Sequence, residues 1–482
     1  MIGARIRSGM TLVVALLVAS CSERSLVVEH VGLLPGTDAF GLVRSVVASL
    51  DSEPLAESVG AYQPRLKQLE GQRVVIRGGG SFHGNLCSTL LNTDVNALGR
   101  DAFFRLGILE APQVVDLQYD VLPDENHPQG VVVAADHDSL AMLTTYVNLD
   151  HISAFFHDVL GDRSPATETR ATVAFYGELG LGCQPLPGVL PVPTLPVETA
   201  DGASYVPTAD TFVLLRDAFT SYGVELVNNP GVQAHELAHR VFIQNLLAED
   251  SAFRFYVLRR LGTEEQRNAT CTDPTPDDEV AECDATDLLL RGMDEGFADI
   301  LAYAYTGRSD FLMHHSFPAP PLGSSTEAAQ RDLAGTPSDP TDLERYGPNT
   351  VRDAQKSRLR PHRLGTLLAR AFFQGITRDD GTPPASDEER VALVRRRHAP
   401  ALIRAVRVLG RDMGGEYRFD ARQLVRRYVE EVVGEGETQH VVRDAVCRPL
   451  CDRFGDLPFP FPVGEAAPQC AHVPRANGPC QL

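Results

Sequence analysis

Residues 229–248 constrain this chain more than any other stretch. Asn229-Pro230 reads as a helix start: asparagine accepts hydrogen bonds as a cap, and proline suits the first turn, where an N–H would go unused. Behind it Val232, Leu237, Val241, Phe242, Leu246 and Leu247 recur at helical spacing, which predicts an amphipathic helix over 230–248. On this helix lies His235-Glu236-Leu237-Ala238-His239. Residues four apart share a face, so two imidazoles can reach one metal ion, and Glu236 stands beside them within reach of a water on that ion. The pentapeptide alone is short, and a solvated surface helix can carry it by chance. The cap and the core face argue for a site.

A catalytic zinc site takes three protein ligands and keeps a fourth position for water. The best source of the third is Met293-Asp294-Glu295-Gly296-Phe297-Ala298-Asp299-Ile300. Glu295 and Asp299 are four apart, on a segment whose Leu288, Leu289, Ile300, Leu301 and Tyr305 predict a helix over 285–306 ending near Gly307. A buried carboxylate needs a compensating charge, and a metal with its histidines supplies one. The bland alternative is an acidic stripe at the edge of an ordinary helix. The expected set is zinc held by His235, His239 and Glu295, with Glu236 as general base.

An HExxH followed downstream by Glu-x-x-x-Asp resembles the gluzincin peptidases. Glu295-Gly-Phe-Ala-Asp299-Ile300 looks like the third-ligand helix of the thermolysin-like and fungalysin-like families. That resemblance implies Glu295 as ligand and Asp299 as its outer partner, holding a zinc-bound histidine that we assign as His235. Arg360-Pro361-His362-Arg363-Leu364-Gly365 opens a predicted helix over 361–374, similar to the one whose N-terminal histidine donates to the oxyanion. By resemblance His362 takes that role. The pattern also departs from the family. The stretch 240–294 between the two motifs is much longer than in thermolysin, which leaves neprilysin-like gluzincins as a rival. Asp294 stands where thermolysin-like enzymes usually carry asparagine, and no edge-strand motif or catalytic tyrosine can be placed. The resemblance spans roughly 140–440 and implies an α+β, two-lobed zincin-like fold with the active-site helix between a β-rich and a mainly helical lobe.

The N-terminus is that of an exported chain. Arg5 and Arg7 precede a short apolar run from Thr11 to Ala19, then Ser20 and Cys21. Val18-Ala19-Ser20-Cys21 resembles a bacterial lipobox. It implies removal of residues 1–20 and lipidation of Cys21, with Ser22 similar to lipoproteins of the outer membrane. A plain secretory signal is the alternative. Of nine cysteines, eight remain after Cys21, an even set that suggests disulfides in an oxidising compartment. Cys271 and Cys283 bracket a polar loop and are natural partners. Cys447 and Cys451 have a passable metal spacing, but export favours disulfides within the 443–482 tail.

At 482 residues and net charge −20, the chain repels phosphate backbones, which argues against a nucleic-acid partner. Segment 22–135 reads as partly β, either a separate domain or propeptide-like, with one short apolar helical pattern within 22–60 and strands at Arg73–Ile76 and Val131–Val133. Gly78-Gly79-Gly80 reads as a turn. The peptidase segment is 136–442, with helices expected at 138–162, 388–409 and 421–434 and a strand at Thr211–Leu215. The expected activity is endopeptidase cleavage of protein or peptide substrates outside the cytoplasm, with the membrane met only through the lipid anchor; oligomeric state is not legible. The other class of reading is a non-catalytic surface lipoprotein that binds a partner. It would need a fourth protein ligand closing the zinc site, and His314-His315 is the nearest candidate.

Overall fold

The computed structural model describes residues 26–33, 40–47, 69–83, 97–180, 203–214, 229–261, 279–311, 332–334, 361–412, 421–433, 439–454, 474–475 and 478–479. Two strands open it, β1 (Leu26–Leu33) and β2 (Phe40–Val47), antiparallel in unbroken register. This corrects the helical pattern expected within 22–60. Val27 pairs with Val46, Val31 with Leu42 and Val43 with His30, β-branched residues in every pair, and Val28 and Val47 bury their side chains in the core.

Next come β3 (Val74–Gly78) and β4 (Ser81–His83), separated by Gly79 and Gly80, both at positive φ. The glycine run is therefore a kink between two strands that continue in one direction along the same neighbouring segment, 171–180, rather than the turn expected. A short helix α1 (Arg100–Phe103) leads to β5 (Ile108–Glu110), β6 (Gln113–Val114) and the hairpin of β7 (Tyr119–Asp124) and β8 (His127–Ala134). β8 runs parallel to β1, giving a sheet of order β2-β1-β8-β7. Helix α2 (His137–Asp158) is capped by Asp136, whose carboxylate accepts from Ser139 N at 2.7 Å. Every residue from 141 to 150 is buried, so α2 is a central helix rather than a surface one.

After a short α3 (Pro165–Glu168) come β9 (Ala171–Phe175), β10 (Glu178–Gly180), β11 (Ala203–Val206) and β12 (Thr211–Leu214). β3, β9 and β12 are parallel, and the five-stranded sheet has the order β11-β12-β9-β3-β6. β11 lies antiparallel on its outer edge, joined to β12 through a short 3-10 turn and Asp210, which sits in the left-handed region at φ 44°.

The rest is helical: α4 (Pro230–Leu246), α5 (Asp250–Leu261), α6 (Glu279–Thr306), α7 (Pro361–Gln374), α8 (Asp387–Leu393), α9 (Ala399–Asp412), α10 (Ala421–Val433) and α11 (Gln439–Phe454), before a two-stranded ribbon at 474–475 and 478–479. The expected single helix 388–409 is two helices joined by a π turn at Val394–His398. That turn aims Arg395 at the last carbonyls of α6, Ala304 at 2.7 Å and Tyr305 at 2.8 Å, where a cation also suits the helix dipole. Helix α11 lies where a stapled tail was expected. Its Cys447 is buried and disulfide-bonded.

The architecture is mixed α and β, with open mixed sheets first and helices after. One hydrophobic cluster runs from Val28 to Cys447 and passes residue 135 without a break. Among the described residues, no helix is long and apolar enough to cross a membrane.

Candidate metal centre

The centre begins with the cap foreseen at Asn229. Its Oδ1 accepts from Gly231 N at 2.7 Å and Val232 N at 3.3 Å, starting α4 so that His235 and His239 emerge on one face. The apolar face of α4, including Leu237, Val241 and Phe242, is wholly buried, so the helix cannot rotate. Helix α6 crosses it and brings Glu295 to the histidine pair. His235 Nε2 lies 3.0 Å from His239 Nε2 and 3.3 Å from Glu295 Oε2, and His239 Nε2 lies 3.8 Å from the same oxygen. Around a tetrahedral zinc with bonds near 2.1 Å, donor atoms sit about 3.4 Å apart. The triangle fits that ion. Glu236 belongs to the same group, its ligand-capable oxygen within 4.8 Å of both imidazoles.

The outward nitrogens are held as well. Asp299 Oδ1 lies 3.0 Å from His235 Nδ1, and Asp299 is fully buried. The geometry thus pairs Asp299 with His235, the partner expected for it. Asp294 Oδ1 lies 2.8 Å from His239 Nδ1. The sequence offers Asp294 only as a departure from the family pattern and does not foretell this contact. The available signal was a carboxylate directly before Glu295. With both Nδ1 atoms held by carboxylates, each ring turns its Nε2 toward the place an ion would take.

The electrostatics gather negative charge around the histidine pair. Burial opposes charge on His239, but Asp294, then Glu295 and Glu236, outweigh it and push its pKa up to about 10. Desolvation pushes the Asp294 carboxyl above its usual range, with His239 opposing. Glu236 is oriented from the sheet side: the backbone N–H of Tyr205 on β11 donates to its Oε2 at 2.9 Å.

A close helix crossing sets the position of Glu295. A Cβ on Gly365 of α7 would overlap Glu295 Cβ and lie 2.9 Å from Gly292 O, and one on Gly296 would lie 2.8 Å from Gly365 O. Only glycines allow this approach. His362 occupies the first turn of α7, one turn before Gly365; its side chain lies outside the described residues. Cys283 falls on the first turns of α6 rather than at a loop end, again with its side chain outside them. Cys21, Cys271, His314 and His315 also lie outside the described residues. No family model matches this chain, and no curated protein or solved structure matches it either.

Proposed function

We propose that the chain is a zinc-dependent endopeptidase acting on proteins outside the cytoplasm. The observation that carries the reading is the convergence of His235, His239 and Glu295 to mutual distances of 3.0, 3.3 and 3.8 Å, with Glu236 beside them. When bound, zinc supplies a water acid enough to ionise near neutrality and polarises a carbonyl. Asp299 and Asp294 keep the two imidazoles in the ligating tautomer. Glu236 takes the proton of the attacking water and delivers it to the leaving amine. His362, by position on α7, donates to the developing oxyanion.

The wider reading has the same standing. We infer a two-lobed zincin-like arrangement: β11 and its sheet flank one side of α4, and α6, on which α7 packs, flanks another. Residues 1–20 are a lipoprotein signal, Cys21 carries a lipid anchor in the outer membrane, and Cys271 pairs with Cys283.

The test is zinc content and casein cleavage on residues 22–482. The expected outcome is one zinc per wild-type chain and none in Glu295→Ala, with cleavage lost in both Glu295→Ala and Glu236→Gln while Glu236→Gln keeps its zinc. Zinc without cleavage in the wild type would overturn the peptidase reading, and no zinc would overturn the centre itself.

A further inference from the structure

One residue past the second histidine, Arg240 is fully buried, an expensive place for a guanidinium unless it is completely paired. Its Nε and Nη2 grip the two carboxylate oxygens of Asp210 at 2.8 and 2.9 Å. Its Nη1 donates to Ala166 O at 2.6 Å and Thr169 O at 3.1 Å. This joins the ligand helix to the β11–β12 corner and to the end of α3. Asp210 carries one more bond: the Tyr205 hydroxyl donates to its Oδ1 at 2.8 Å. Burial, and then Asp210, push the Tyr205 hydroxyl well above its usual pKa, so it stays a donor.

The bonds close a ring. Glu236 and Arg240 are four apart and share a face of α4. Glu236 accepts from Tyr205 N–H, the Tyr205 side chain reaches Asp210, and Asp210 returns to Arg240. Tyr205 lies on the edge strand, and this N–H is spent on a side chain instead of the sheet. β11 is paired with β12 over its whole length, and the ring ties that paired edge to α4. Held at its backbone by Glu236 and at its phenol by Asp210, β11 is fixed in both distance and tilt.

The geometry points to Tyr205, Asp210 and Arg240 as a positioning clamp that sets the carboxylate of Glu236 against the metal centre; as a statement about catalysis, this rests on the peptidase reading above. None of the three touches the ion or the reacting bond. They act through Glu236, whose direction is set by a bond from the edge strand that the clamp ties to α4.

Tyr205→Phe tests this with the ring and the backbone kept, and Asp210→Asn removes the charge at the hub. Three readouts separate positioning from simple structure: zinc content with the visible spectrum of the cobalt-substituted protein, kcat and KM on a casein-derived peptide, and hydrogen exchange of the 203–206 segment. For Tyr205→Phe the expected result is full zinc, an unchanged cobalt spectrum, and kcat lowered about tenfold at unchanged KM, since small misplacements of a reacting group are costly. The Tyr205 amide should exchange at least about tenfold faster in Tyr205→Phe and in Glu236→Ala than in wild type. A folded, zinc-loaded Tyr205→Phe with wild-type kcat would overturn the clamp, as would a change confined to KM. Exchange unaltered in both variants would overturn it too. If the wild-type protein binds zinc but cleaves nothing, the peptidase reading falls, and the exchange rates alone decide the clamp. If Asp210→Asn does not fold, Tyr205→Phe still decides.

Discussion

Glu236, Asp294, Glu295 and Asp299 converge on two imidazoles, and that imbalance of charge shapes everything about the site. On the proposed zinc reading, the carboxylates behind the rings raise their basicity and lock their orientation, so Asp294→Ala and Asp299→Ala should each weaken zinc affinity about 10- to 100-fold. Chelator competition measures this; wild-type affinity in both variants would remove the role given to them. Asp299 was legible because it lies four residues from Glu295, on the same face. Asp294 was not, since a neighbour of Glu295 faces elsewhere on a helical wheel, and only the crossing of α4 and α6 shows that His239 is there. Two other histidines bear on stability. Burial holds His30 down to about 4 and His398 down to about 3, the latter bonded through Nδ1 to the Tyr428 hydroxyl at 2.7 Å. Both are neutral when folded, while the unfolded chain protonates them below its ordinary histidine pKa. The unfolded state then binds more protons, so their contribution is complete above about pH 6.5 and is lost as pH falls toward the folded values. Urea midpoints at about pH 7.5 and about pH 5 should show that decline, and His398→Gln should flatten part of it. Equal slopes in variant and wild type would count against His398.

At the level of elements, helices carrying a strong local signal were legible almost to the residue. The Asn229 cap and apolar face located α4, and Pro361 located the start of α7. The β1–β2 pair was not legible, because strand pairing is decided by partners distant in sequence, and a few valines in a row fit either period. The π turn between α8 and α9 escaped for a related reason: Arg395 finds its carbonyls on α6, far along the chain. The sharpest prediction here concerns the α6–α7 crossing. Gly365→Ala forces a methyl group against Glu295 and the α6 backbone, which should cost about 1–3 kcal/mol of stability and lower zinc content as Glu295 is displaced. Thermal melting and metal analysis on the same sample check both. A fully loaded variant of wild-type stability would show that α7 can retreat without disturbing the ligand.

For the whole molecule, α4 is the joint. Arg240 ties it to the sheet corner, and at its far end Asn245 donates to the buried Asp162 at 3.0 Å while accepting from Arg407 of α9 at 3.0 Å. Metal binding at one face of such a helix should therefore be felt globally. Zinc at about a thousand times its Kd adds about 4 kcal/mol by mass action, so chelation should lower the melting temperature cooperatively. An unchanged melting curve after complete zinc removal would mean that the centre is uncoupled from the fold. The mixed architecture was readable in outline from the change in hydrophobic period along the chain, but the continuity of one core from Val28 to Cys447 was not, since nothing local reports which segments share an interior. The glycine crossing has a consequence beyond mechanics. Side chains elsewhere on α6 and α7 can drift, but a methyl at 296 or 365 collides with backbone, so substitution there is closed off. A glycine directly after Glu295, answered far downstream by another in the first turns of a proline-opened helix, is a fingerprint by which distant kin could be found after overall similarity has faded.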